Sequence, residues 1–212
     1  MKKRKSRILV LFLAVLLVSI MSCENPFFKK MLVEEEKGET VPEKPHAPFI
    51  EGGASLILSP DKLDIRVKAV TSDGSAVAVE GCTETELTSG AETVLYATGR
   101  RVILKGNIIK LFCGSNQLTA LNVQGLTALY KLNCYGNRLN ADAFKKLFDD
   151  LPQPDAGVNG WCTLYTEKDG ITEGNHKDFT APPDLAAAFN NAKTVKKWKM
   201  YKRHGSGNSV EI

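Results

Sequence analysis

The side chains best suited to covalent or metal chemistry in this 212-residue sequence are five cysteines and three histidines. Cys82, Cys113, Cys134 and Cys162 follow one another at intervals of 31, 21 and 28 residues. No Cys-x-x-Cys pair and no neighbouring histidine accompanies them, which is a poor pattern for a zinc site. His46 falls in a proline-rich segment and His204 in the C-terminal tail, where neither is held as a general base needs to be. His176 follows Asn175 in a polar loop and reads as a solvated side chain. No G-x-S-x-G, H-E-x-x-H or phosphate-binding glycine loop is present. The stretch Asp169 to Gly174 fails as a calcium loop, because Ile171 replaces an oxygen ligand and Thr180 stands where a bidentate glutamate belongs. These residues predict no catalytic site, no metal and no cofactor, and a protein that is not an enzyme.

Cys23 has a different context. Met1 to Arg7 carries five basic residues, Ile8 to Met21 is an uncharged run of 14 residues, and Ser22-Cys23 follows. A basic start, an apolar stretch and a small residue at its end make an export signal, and the run is shorter than the ~20 residues a spanning helix needs. Ile20-Met21-Ser22-Cys23 resembles the lipobox of bacterial lipoproteins, although Met21 and Ile20 depart from its commonest residues. The resemblance implies a signal peptide over 1–22, a lipid on Cys23 and attachment through it to the bacterial envelope, at the outer membrane or cell surface. Without residues 1–22 the 28 Lys and Arg fall to 23 against 24 acids, so the formal charge of +4 becomes about −1. Nucleic-acid binding, which needs a folded basic face, is not expected.

The elements that position these residues follow from composition and periodicity. Residues 23–53, with Glu34-Glu35-Glu36, Pro42, Pro45, Pro48 and Gly52-Gly53, predict a flexible tether. Residues 54–106 carry short β-rich runs, such as Leu63 to Val67 and Arg101 to Leu104, separated by turn signals such as Ser72-Asp73-Gly74-Ser75, and predict a β-rich N-terminal cap. From Ile108 onward a repeat appears: Lys110 to Leu118 and Lys131 to Leu139 agree at five of nine positions, 21 residues apart. In each copy a Leu and a Cys two apart share one face of a strand. The Asn three positions later (Asn116, Asn137) stands where the chain leaves the strand, with an amide able to bond backbone groups of adjacent turns.

This pattern, Ile108, Leu111, Cys113, Asn116, Leu118, Leu121, Val123 and then Leu129, Leu132, Cys134, Asn137, Leu139, resembles bacterial leucine-rich-repeat proteins of the 21-residue type, especially spirochaetal and treponemal surface lipoproteins. The resemblance implies a short solenoid of parallel strands over 107–203. Ala141 to Leu151 predicts an amphipathic helix stopped by Pro152, and a second helix is predicted from Pro182 or Pro183 to Ala192. Gly160 to Tyr165 and Trp198 to Tyr201 predict two more strands, the last closing the solenoid edge, with 204–212 a flexible tail. The expected class is α+β: a leucine-rich-repeat solenoid, a β-rich cap and two C-terminal helices.

In this register Cys113, Cys134 and Cys162 take equivalent inward positions as a ladder of buried thiols. Parallel side-chain vectors suit a disulfide badly. The outward positions are Lys110, Phe112, Lys131, Asn133, Tyr135, Trp161, Thr163, Tyr165, Lys199 and Tyr201, a mixture of lysines and aromatic rings suited to recognition. Lys193, Lys196, Lys197, Lys199, Lys202 and Arg203 add a basic cluster. The expectation is a monomeric, non-catalytic surface lipoprotein whose sheet face binds a protein or glycan partner in adhesion; the alternative is a structural envelope lipoprotein without an external ligand.

Overall fold

The two matching segments lie side by side as parallel strands, with Lys110 opposite Lys131, Leu111 opposite Leu132 and Phe112 opposite Asn133. The computed structural model describes residues 46–205 and 207–212. The expected signal peptide, Cys23 and most of the expected tether lie outside the described residues.

In chain order the elements are β1 (Gly53–Leu58), β2 (Asp64–Thr71), β3 (Val77–Glu80), β4 (Glu86–Leu87), β5 (Glu92–Tyr96), β6 (Arg101–Lys105), β7 (Ile108–Phe112), β8 (Leu118–Asn122), β9 (Lys131–Asn133), α1 (Ala141–Asp150), β10 (Gly160–Glu167), α2 (Pro183–Thr194), β11 (Trp198–His204) and β12 (Ser209–Glu211). The fold is α+β. A seven-stranded sheet runs β12-β11-β10-β9-β7-β2-β5, and a five-stranded sheet runs β4-β3-β6-β1-β8. Within the larger sheet β7, β9, β10 and β11 are parallel, while β2 and β12 flank them antiparallel. Parallel neighbours require a crossover, and here β8, α1 and α2 supply the three.

One hydrophobic core joins the inner residues of both sheets, including Leu56, Val67, Leu104, Leu111, Leu121, Leu132 and Met200, to Phe144, Phe148 and Leu185 of the helices. The alternation in β2, with Ile65, Val67 and Ala69 buried between exposed or half-buried residues, follows from one face meeting this core and one meeting solvent. Helix α1 starts where the Asn140 side chain accepts a hydrogen bond from the Ala143 N–H at 2.9 Å, and it presents Phe144, Leu147 and Phe148 inward. It ends at Leu151, ahead of Pro152. Pro183 opens α2, where the missing N–H has no partner to lose.

Several expectations need correction. The tether stops before residue 53, since Ala47 is buried and its carbonyl accepts from Asn122 Nδ2 at 3.2 Å. Residues 54–106 do more than cover one end of the parallel strands: β2 and β5 extend the larger sheet beyond β7, and β1, β3, β4 and β6 join β8 in the second sheet. The C-terminal tail is not free, because β12 pairs with β11, and β11 is therefore not the edge. Cys162 lies opposite Leu132, so it is not the equivalent of Cys134; the longer connection through α1 shifts the register by one inward position.

Candidate functional site

The side of the larger sheet that faces away from the core carries side chains in two rows. One row crosses Glu92, Lys68, Phe112, Asn133, Thr163, Tyr201 and Glu211, and the other crosses Val70, Lys110, Lys131, Trp161 and Lys199. Parallel pairing in register places like positions beside one another, so the 21-residue spacing becomes a physical row. Within it Lys131 Nζ sits 5.8 Å from the Phe112 ring centre and 5.4 Å from that of Trp161. Lys68 Nζ approaches the other side of Phe112 at 6.0 Å, and Lys110 lies over Tyr130 at 5.5 Å. Trp161 and Tyr201 stack at 3.7 Å with their planes 13° apart, and Trp161 Nε1 donates to Thr163 Oγ1 at 3.3 Å. At the next level Arg203 covers the Tyr135 ring at 4.8 Å and donates to its hydroxyl. The result is a half-buried aromatic strip threaded with ammonium groups.

Nine of the ten outward positions take their places on or beside this face. Lys110, Phe112, Lys131, Asn133, Tyr135 and Trp161 are half-buried and Lys199 is exposed, whereas Thr163 and Tyr201 are covered by their neighbours. Tyr165 does not join them. The β10–β11 register skips Leu164, pairing Thr163 with Tyr201 but Tyr165 with Lys202. This bulge turns the Tyr165 ring toward the helices, 6.2 Å from Phe179, and burial raises its hydroxyl pKa. Two residues that the repeat could not indicate extend the face at its far edge, Val94 and the 58 % exposed Tyr96. Both alternate outward along β5, opposite Arg66 and Asp64.

Beneath the rim of the face runs a ladder of amides. Asn116 Nδ2 donates to the Arg66 and Cys113 carbonyls, Asn137 Nδ2 to those of Cys113 and Cys134, and Asn175 Nδ2 to those of Cys134 and Leu164. Asn175 is the third rung, and spacing alone could not find it, since the loop before it is longer than in the other two copies. Glu173 holds that loop. Its carboxylate accepts from the backbone N–H groups of Gly136, Thr166 and Asn175 at 2.6 to 3.1 Å. The stretch that failed as a calcium loop is thus a turn organised by one carboxylate.

Cys82, Cys113, Cys134 and Cys162 are all free thiols. Burial pushes the Cys113 thiol well above its ordinary pKa; for Cys134 a hydrogen bond with Cys162, together with burial, does the same. Cys82, half-buried, is pushed up to about 11 by burial and by nearby Glu84. Thiols held protonated make poor nucleophiles. Among the described residues, no three His, Cys, Asp or Glu side chains gather as a metal site. The His176 ring contacts the Asp178 carbonyl in an exposed loop. In the basic cluster, Lys193 reaches the Ile212 carbonyl, Lys196 the Phe148 and Asp149 carbonyls and Lys202 the Glu167 carboxylate. These lysines tie elements together, and only Lys199 faces outward with the rows described above.

Comparison of the chain with protein-family models, with curated proteins and with solved structures finds no match.

Proposed function

We propose that this chain is a non-catalytic interaction module: a short leucine-rich-repeat solenoid over 107–203, exported and anchored to a bacterial envelope through a lipid on Cys23, whose outer sheet face binds a protein or glycan partner in adhesion. The repeat reading is supported by three asparagines, Asn116, Asn137 and Asn175, bonding adjacent turns in the same way. Export and anchoring rest on Met1 to Cys23.

The observation that carries the binding role is the contrast between the two sides of the larger sheet. Its inner side is sealed by β1, β6, β8 and the helices into one core. On the other side no element of the described chain covers Phe112, Tyr135, Trp161 or the lysines between them. Aromatic side chains with two rotors and fixed neighbours bury large area at small entropic cost when a partner arrives. The test is retention of beads coated with the full chain on immobilised matrix proteins and glycans. A variant with Phe112, Tyr135 and Trp161 all replaced by Ala is expected to lose retention while remaining folded by circular dichroism. Equal retention of that folded variant removes the face from consideration.

A further inference from the structure

We infer that the row of lysines and rings crossing β7, β9, β10 and β11 docks an acidic helix of a partner protein, whose carboxylates meet Lys110, Lys131 and Lys199 and whose apolar side chain rests on Trp161. The inference rests on the proposed binding role of this face and names the chemistry of its partner.

The first observation is charge without a counter-charge. Lys110 and Lys131 stand directly opposite each other on adjacent strands, and both are half-buried. Like charges so placed repel. Among the described residues neither forms an ion pair, nor does exposed Lys199, although acids elsewhere on the surface pair with Arg66, Lys105, Arg138, Lys145, Lys146 and Lys202. The two ammonium groups are held instead by ring faces: Tyr130 at 5.5 Å for Lys110, and Phe112 at 5.8 Å and Trp161 at 5.4 Å for Lys131. A ring face attracts the cation without consuming its N–H donors as a carboxylate would, so those donors stay open to an incoming anion. Folding alone would be served better by an acid in one of the two positions, which points to a counter-charge supplied from outside.

The second observation is the make-up and spacing of the row. Val70, Lys110, Lys131, Trp161 and Lys199 include no amide or hydroxyl to read the hydroxyls of a sugar, and the Trp161 N–H is already given to Thr163. The Trp161 ring, stacked on Tyr201, is a fixed apolar platform among the lysines. Neighbouring strands lie about 4.8 Å apart, so Lys110, Lys131, Trp161 and Lys199 succeed one another at roughly 0, 5, 10 and 14 Å. A helix rising about 1.5 Å per residue brings positions i, i+3, i+7 and i+10 along one face at roughly 0, 4.5, 10.5 and 15 Å. Acids at the first, second and fourth of these positions and an apolar residue at the third match the row in order. An extended segment repeats on one side at about 6.7 Å and pairs best with a sheet edge. This row lies inside the sheet, between β2 and β12.

The experiment is calorimetric titration of the full chain in detergent with a synthetic Ala-rich helix of about 20 residues, long enough to keep its helix in water, that carries Glu at i, i+3 and i+10 and Leu at i+7. The controls are a peptide of the same composition with those four residues scattered around the helix, and a sulfated heparin oligosaccharide. The patterned helix is expected to bind about tenfold or more tightly than the scattered one, and to weaken as salt rises. Lys131→Gln is expected to weaken that binding about tenfold. Lys110→Glu is expected to weaken it at least as much while leaving Tm within about 2 °C of the parent's, because attraction to Lys131 replaces repulsion. Equal affinity for the scattered peptide, tighter binding of the heparin oligosaccharide, binding undiminished in either variant, or no binding of the patterned helix overturns the inference. Should the patterned helix not bind while the Phe112, Tyr135 and Trp161 triple variant still loses retention on a protein surface, only the acidic helix falls. Should that variant lose nothing, the face itself falls.

Discussion

Replacing Asn137 by Ala tests the ladder that holds the parallel strands in register. Asn137 is 2 % exposed and makes four hydrogen bonds. Its Oδ1 accepts from the N–H groups of Asn116 and Leu118, each at 3.0 Å. Its Nδ2 donates to the carbonyls of Cys113 at 3.1 Å and Cys134 at 2.8 Å. The two carbonyls are insured, because Asn116 Nδ2 also bonds Cys113 and Asn175 Nδ2 also bonds Cys134. The two N–H groups have no second acceptor, so both become buried orphans at about 1 to 3 kcal/mol each. A net loss of about 3 kcal/mol allows for partial relaxation, and in a domain of this size it lowers Tm by roughly 6 to 12 °C. Asn116→Ala orphans the Arg66 N–H and removes the amide bond to the Arg66 carbonyl, and Asn175→Ala orphans the Leu139 N–H and removes that to the Leu164 carbonyl. Each is therefore expected to cost less than Asn137→Ala, since an under-satisfied carbonyl is tolerated better than an orphaned N–H. Asn137→Asp keeps the acceptor but turns an oxygen toward two carbonyls, so it should be at least as damaging as Ala. Thermal unfolding of the four variants by circular dichroism checks the ranking. An unchanged Tm for Asn137→Ala, or a milder effect of Asp than of Ala, would refute this account of the ladder.

Asp150 is buried at the end of α1, where burial raises its pKa despite the opposing Lys146 contact at 2.8 Å. A raised folded-state pKa means that ionisation disfavours the fold: the contribution is full below the unfolded value near 4 and is lost as pH rises through the folded value. Asp150→Asn should raise Tm at pH 7 and lose that advantage below about pH 4; a lower Tm at pH 7 would show that the Lys146 pair outweighs burial. Phe179 meets the rings of Phe144, Phe148 and Phe189 at 5.1, 5.5 and 5.0 Å, so Phe179→Ala should cost about 3 to 5 kcal/mol, read from urea unfolding. Iodoacetamide at neutral pH should leave Cys113, Cys134 and Cys162 unmodified in the native protein and label all three after unreduced denaturation; mass spectrometry finding a blocked pair would replace the thiol ladder with a disulfide. A Lys199→Cys variant should be labelled on intact cells by a membrane-impermeant maleimide above the level of the parent chain, since the position is exposed, Cys113, Cys134 and Cys162 are buried, and the parent accounts for half-buried Cys82. No labelling would place the face inside the envelope.

The parts of this fold legible in the sequence are those repeated in it. Leu111 and Leu132, and Cys113 and Cys134, recur at one spacing because parallel strands in register impose one environment on each rung, and all four are buried. The helices were legible for a similar reason, a buried stripe of Phe144, Leu147 and Phe148 in the first and a proline start in the second. What escaped depends on insertions and long-range pairing. The connection through α1 moves Cys162 opposite Leu132, and the bulge at Leu164 reverses Tyr165. Asn175 does the work of Asn137 after a loop whose length hides it. The partnership of β1 with β6 and β8 brings Ser55 to Asn122, and no local period announces such a pairing.

The two sides of the molecule carry different chemistry, and the path of the chain explains why that matters. In β1, Ala54, Leu56 and Leu58 enter the common core, while Ser55 and Ile57 face the other way. That outer side of the smaller sheet is covered by the incoming chain: Ala47 packs with Ile57 and Ala120, and the Pro48 carbonyl accepts from Ser55 Oγ. The aromatic and lysine rows occupy the outer side of the larger sheet, with the shared core between the two surfaces. Covering the outer surface of the smaller sheet with Ala47 and Pro48 also seals Ile57 and Ala120 from solvent. Among the described residues the larger sheet receives no such cover on its outer side, where the half-buried rings of Phe112, Tyr135 and Trp161 stand beside the lysines.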